Sequence, residues 1–469
     1  MEPGTMSGNP LAADTQAGEV TQRSNADALA ARLERLPICS WHAKARLMLG
    51  VATFFDAFDA LTIAQVLPAL VPLWKLSSAD VGWLIAAGYG GQLLGAIFFG
   101  WLAGRIGRLR TIQIAILIFA VTSVVCGLAS QYSTLVAGRF VQGFGLGGEV
   151  PAAAVYISEI TRAKTRGRFL LLYEFIFSVG VFLSGVIGTL VVPRLGWEWM
   201  FFIGALPIVI VPVLRRMLPE SPRWLASRGR MHEAQAATAR IEAAIVKATG
   251  RDLPPVVALP PRIEPKNSWR DYFAAPYLSR TLALWAIWFG AFIVYYGLGT
   301  WMPTLYRSVF GLGLDDALHY ALITNACGVA AVFLCIFTVD VIGRRPIFIL
   351  SFVGCAASFA WLYAMGIRDL MMFVVVVSAA YFFATLSALC VYLYTPECYP
   401  TRARAQGMGM ATAWCRAASM IGPAFIGMVV KTDLNNVFLV FGTVAFVVGA
   451  IVVTLAPETA GKRLEEISP

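Results

Sequence analysis

Runs of about twenty apolar residues recur along this chain, and they leave it few folds. They lie at roughly 47–71, 81–102, 111–129, 134–157, 169–192 and 198–218, and after a polar gap at 281–301, 320–339, 346–366, 370–394, 407–430 and 436–456. Each is close to the ~20 residues with which a helix crosses a hydrocarbon core. Composition agrees, since 14% of the residues are charged against about 25% in a soluble domain. The expected fold is an all-α polytopic membrane protein with twelve transmembrane helices, six on either side of the gap.

A repeat divides the chain in the same way. Tyr156, Glu159 and Arg166 return 238 residues later as Tyr394, Glu397 and Arg404, and the same offset carries Pro219-Glu220 onto Pro457-Glu458. An offset of 236 carries Gly107-Arg108 onto Gly343-Arg344. These matches fall at span ends, where shared apolarity does not produce them. The expected domains are a cytosolic tail (1–45), a six-helix bundle (46–218), a cytosolic connection (219–280), a second six-helix bundle (281–456) and a short cytosolic tail (457–469). The first tail reads as partly disordered rather than as a cleaved signal peptide. The connection holds a helix-like run, 230–247, suited to lying at the membrane face, then a proline-rich linker.

Charge sets the orientation. With both ends in the cytosol, that side receives thirty Lys and Arg and the other five, as the positive-inside rule requires. The net charge of +10 is therefore topological, and a nucleic-acid partner is not expected. Eight cysteines with no C-x-x-C pair and three scattered histidines point to no metal. With no nucleotide-binding loop and no nucleophile–base set, neither a cofactor nor an enzyme activity is expected.

Charges inside the spans need a reason, because a buried carboxylate must be paired, hydrogen-bonded or protonated. Asp56 and Asp59 stand three apart in the first span and share roughly one helix side. Arg139, in the fourth, is the natural partner of Asp59; the pair is either proton-coupling or a static ion pair, and Asp56 either joins it or steadies a helix interface. Glu149 follows Gly143, Gly145, Gly147 and Gly148, which permit close helix packing; it belongs to the substrate path or, on the preferred reading, to the cytosolic gate. Glu174 either snorkels to the basic loop before it or acts in transport. Arg416, in the eleventh span, attracts a carboxylate substrate or is held by a carbonyl or by Glu397.

Trp285, Trp288, Tyr295, Tyr296 and Trp301 gather in span seven and Tyr381 in span ten, where aromatic faces suit a flat ring. Singly each reads as packing, and Trp301 as an interface-belt residue; together they fit one cavity. Gln65, Gln142, Thr324 and Asn325 are the mid-span polar candidates.

The loop running from Gly100 through Gly104, Arg105, Gly107 and Arg108 to Arg110 resembles the signature loop of the major facilitator superfamily, with Gly104 where that signature usually has Asp. The second copy, Asp340 to Gly343, Arg344 and Arg345, keeps the acid. Together with PESPRWL at 219–225, PETAGKRLEEI at 457–467, and FFDAFD from Phe54, the chain is similar to the branch of sugar porters and organic-ion carriers, and most to bacterial nicotinate carriers and their synaptic-vesicle-protein-like relatives. The resemblance covers about 45–467. It implies a rocker-switch carrier in the cytoplasmic (inner) membrane, working as a monomer among lipid. Gating would fall to Arg105, Arg108, Glu149, Glu159, Arg166, Asp340, Arg344, Arg345, Glu397 and Arg404. In sugar porters the residues matching Asp59 and Arg139 form the proton-coupling pair. The expected activity is proton-coupled uptake of a small aromatic monocarboxylate, best represented by nicotinate, with Arg416 or Arg139 drawing the carboxylate. Sugar or polyol symport, export of organic ions and a non-transporting receptor are the alternatives.

Overall fold

The computed structural model describes residues 28–257, 272–274, 277–399, 401–429 and 434–460, with the backbone alone at 163–172, 174, 340 and 401–406. The first half comprises α1 (Ser40–Trp74), α2 (Ser78–Ile106), α3 (Arg108–Gly127), α4 (Tyr132–Ile160), α5 (Ala163–Leu195) and α6 (Glu198–Met217). Two connecting helices follow, α7 (Pro222–Ser227) and α8 (Met231–Thr249). The second half comprises α9 (Tyr277–Phe310), α10 (Leu314–Ile342), α11 (Arg344–Met365), α12 (Leu370–Cys398), α13 (Thr401–Val429) and α14 (Leu434–Leu455).

Among the described residues ten helices are long and apolar enough to cross a membrane. The other two long helices, α4 and α13, each have 29 residues but are less apolar, because they carry Arg139, Glu149, Arg416 and many glycines and alanines. Helix ends follow local chemistry. Lys75 enters the left-handed region (φ 52°) to stop α1, and Ser77 and Asp80 form a reciprocal capping box that starts α2.

The two halves pack alike. α2 and α3 both pack on α4, as α10 and α11 pack on α12, and α1 lies against α5 as α9 lies against α13. The halves meet where α2 touches α13, α5 touches α10 and α1 touches α9. Outward faces are apolar, with Phe337 75% and Val341 85% exposed, as expected where the surrounding solvent is lipid.

The expected loose tail is ordered from residue 28. Residues 28–34 are helical, and Leu29, Leu33 and Leu36 join an apolar cluster with Trp224, Ile241 and Ile245. Arg32 and Arg35 both bind Glu242 of α8 (2.5 and 2.7 Å), and Arg223 binds Glu34 (3.1 Å). Partial burial pushes the Glu242 carboxyl up, but the two guanidinium hydrogen bonds outweigh it and hold it below the usual range. Burial of an apolar face and these ion pairs together account for the order, neither of which composition reveals.

Candidate functional site

Two carboxylates of α1 define the centre. Asp59 is 1% exposed; its Oδ2 accepts from Arg139 Nη1 at 2.7 Å and its Oδ1 from Gln142 Nε2 at 2.7 Å. Gln142 also accepts from Arg139 Nη1 (2.8 Å) and donates to Ser123 (2.9 Å), whose hydroxyl donates to the Phe201 carbonyl (2.8 Å). The expected pair therefore exists, and Gln142 is part of it. A buried pair without further hydrogen bonds would cost more in desolvation than it regains; here both carboxylate oxygens are occupied.

Helix crossing sets this geometry. A Cβ on Gly143 would stand 2.0 Å from the Gly88 carbonyl oxygen, one on Gly147 2.1 Å from that of Gln92, and one on Gly91 2.0 Å from that of Phe140. α2 and α4 thus touch backbone to backbone. Gly88 also leaves room for Arg139, whose Nη2 would lie 3.1 Å from a Cβ there.

Asp56, one turn below, is 2% exposed and its Oδ1 has no hydrogen-bond partner. The charge that bears on it most is the guanidinium of Arg416, from the other half. Arg416 hydrogen-bonds across the seam to Gln92 Oε1 of α2. The expected alternative partner Glu397 pairs with Arg344 at 3.0 Å instead. Among the described residues no carboxylate hydrogen-bonds Arg416.

The aromatic residues divide. Tyr295 and Tyr381 stack at 5.2 Å between centroids and 16° between planes, and Tyr296 meets Tyr89 of the first half at 5.1 Å. Asn325 lies beside Gly185 across the same seam, with its Nδ2 3.2 Å from the position of a Cβ there. Trp285 packs on Trp414 at 5.5 Å, with an indole N–H that has no partner. Trp288 is fully buried and donates to Thr395 (2.9 Å), which makes it a packing residue. Trp301 is not in an interface belt: it is 2% exposed and donates to the Pro423 carbonyl (2.9 Å).

At the helix ends nearest the termini the repeat becomes geometry. Arg108 forks onto Glu159 (3.0 and 3.3 Å) and Arg344 onto Glu397 (3.0 and 3.2 Å). Glu220 accepts the backbone N–H groups of Arg108 and Leu109 (2.8 and 3.0 Å), and Glu458 those of Arg344 and Arg345 (3.0 and 2.9 Å). Tyr156 and Tyr394 each donate at 2.7 Å to the proline carbonyl before that glutamate, Pro219 and Pro457. A carboxylate at a helix N-terminus satisfies orphan donors and the dipole together. The glycine before each Arg, Gly107 (φ 109°) or Gly343 (φ 99°), brings the chain close enough for this, since a Cβ would stand 2.3 or 2.8 Å from the carboxylate. The Glu458 carboxyl is pushed up by burial, but the backbone donors Ala460, Arg344, Arg345 and Thr459 hold it below the usual range.

Other expected gate residues behave differently. Arg105 is exposed and lies over the Trp101 ring at 4.4 Å. Arg345 donates to the Val453 carbonyl. Glu149 is fully buried and accepts from Thr53 (3.4 Å), whose hydroxyl also meets Tyr173. The side chains of Arg166, Glu174, Asp340 and Arg404 lie outside the described residues. At Gly104 the usual Asp is absent, and the Gly104 carbonyl instead accepts from Trp224 Nε1 (2.9 Å) and Arg228 Nε (3.0 Å). Sequence reasoning missed Gln92, Ser123, Glu220 and Glu458 as site residues; the duplicated Pro-Glu was the one signal that pointed to the last two.

A family model described as sugar (and other) transporter matches residues 18–469. The niacin transporter NiaP of Acinetobacter baylyi is 34% identical over 442 residues, covering 94% of this chain and 99% of that protein. A synaptic vesicle 2-related protein of Pongo abelii is 26% identical over 444 residues, covering 91% and 80%. Among solved structures, a partially occluded inward open conformation of the xylose transporter XylE from E. coli has the same fold. Its TM-score is 0.70 at 18% identity, over 89% of this chain and 100% of that one.

Proposed function

The chain belongs to the sugar (and other) transporter family, and from that premise we propose that it takes up a small aromatic monocarboxylate, with nicotinate as the best representative, together with protons. As a secondary transporter of the major facilitator superfamily it moves a small organic solute across a lipid bilayer. The observation that carries the substrate class is Arg416: a guanidinium at the seam between the halves, hydrogen-bonded to a neutral amide, Gln92. A cation so placed, beside Tyr296 and Tyr89, favours an anion with a flat ring.

In this reading α4 and α13 complete twelve spans, with both termini in the cytosol of a cell with an inner membrane. The halves then stand closed on the outer side. Support comes from the tight contact of Gly427 with Ser78 and Gly82, and from Arg307 bonding the Pro68 carbonyl, all at helix ends away from the termini. Near the termini, Arg108–Glu159 and Arg344–Glu397 each stay within one half. Protonation of Asp59 weakens its hold on Arg139 and lets the halves rock around the occupied site; release of substrate and proton to the cytosol restores the pair.

The test is uptake of radiolabelled nicotinate into proteoliposomes under an imposed pH gradient, with benzoate, glucose and an organic cation as competitors. Gradient-driven uptake that nicotinate and benzoate block and glucose does not is the expected result. Arg416→Gln should lower nicotinate affinity by about tenfold or more, the weight of one lost charge-assisted hydrogen bond. Absence of nicotinate and benzoate flux in folded protein, or block by glucose, overturns the assignment.

A further inference from the structure

Asp56 is unlike Asp59, since it is equally buried but one of its oxygens has no donor. We infer that Asp56, Arg416 and Gln92 form a single proton-gated anion subsite, in which the carboxylate binds Arg416 only when Asp56 is protonated and Gln92 holds Arg416 between substrates. The inference rests on the proposed carboxylate substrate.

The argument is a charge balance. Arg139 is already matched in charge by Asp59, so it does not compensate a second anion. Arg416 is the other guanidinium at this level and Asp56 the carboxylate that acts on it. In a low-dielectric interior one cation compensates one anion, and a second is strongly repelled. With Asp56 ionised, Arg416 is balanced and the site empty; with a substrate carboxylate at Arg416, Asp56 must be neutral. The remaining groups do not change the count. Tyr89 of α2, Tyr295 and Tyr296 of α9, Tyr392 of α12 and Cys415 of α13 are neutral at physiological pH. Asp59 of α1 is paired, and Glu149 of α4 lies with Thr53 and Tyr173.

Gln92 suits the second role because its amide oxygen occupies a hydrogen-bonding position that a carboxylate oxygen would take, and it comes from the opposite half. Exchanging it for substrate therefore alters a contact between the two halves. This proton is separate from the one at Asp59, and it links occupancy of the site to pH.

The experiment measures equilibrium binding of nicotinate to the full chain from about pH 5.5 to about pH 8.5. In wild type the dissociation constant should rise about tenfold per pH unit at the alkaline end. Asp56→Asn should bind with an affinity independent of pH. Gln92→Ala should bind at least as tightly as wild type with the slope retained, and Asp59→Asn should keep the slope. Independently of any variant, wild type in weak buffer at alkaline pH should take up one proton per nicotinate bound. A pH-independent wild type, no proton uptake, a slope retained in Asp56→Asn but lost in Asp59→Asn, or lost binding in Gln92→Ala overturns this inference alone. Wild type that binds neither nicotinate nor benzoate at acid pH overturns the substrate reading as well.

Discussion

Gly143→Ala is the substitution from which the packing of the first half can be judged. The added Cβ would lie 2.0 Å from the Gly88 carbonyl oxygen and 2.9 Å from its carbon, where ordinary contact begins at 3.4 Å. These are backbone atoms, so no rotamer change relieves the clash, and α2 and α4 must part by about 1.4 Å. Overpacking of this kind costs about 1–3 kcal/mol. One turn away on α4, Arg139 reaches Asp59 at 2.7 Å and lies close against Gly88. If the shift separates the pair, a further cost of about 3–5 kcal/mol follows from the uncompensated buried charge. The assay is thermal unfolding of the purified protein in detergent beside proton-driven uptake. Gly104→Ala serves as the control, because its Cβ would meet nothing within 4 Å. Gly143→Ala should melt well below both wild type and the control and lose most of its uptake. Equal melting and uptake in the two variants would refute the claim that this crossing positions Arg139.

Two other outcomes follow from the helix ends. Because the Glu458 carboxyl is held below the usual 4.5, its contribution to stability is present above that value and lost as pH falls through the lower folded one. The melting temperature of wild type should thus drop more steeply below about pH 4.5 than that of Glu458→Gln. Glu242→Ala removes the acceptor shared by Arg32 and Arg35. A weakening of about 1 kcal/mol should speed proteolytic cleavage near residues 28–36 severalfold and leave the melting of the membrane region unchanged.

Much of this molecule was legible before its fold. Apolar runs of membrane length and a Lys and Arg bias limited the chain to helices in lipid, and the repeated Tyr, Glu, Arg and Pro-Glu divided it into two halves that pack alike. Asp59 with Arg139 was readable because two opposite charges in mid-span have few other ways to be tolerated. Tertiary structure alone decided the rest. It gave Glu397 to Arg344 and Gln92 to Arg416, turned Trp301 inward to the Pro423 carbonyl, and set Glu220 and Glu458 over the ends of α3 and α11. A helix that is apolar all round has no polar stripe to declare which side faces its neighbour. Its rotation and crossing, and hence the partners of its few polar groups, are fixed only when glycine lets one backbone lie against another.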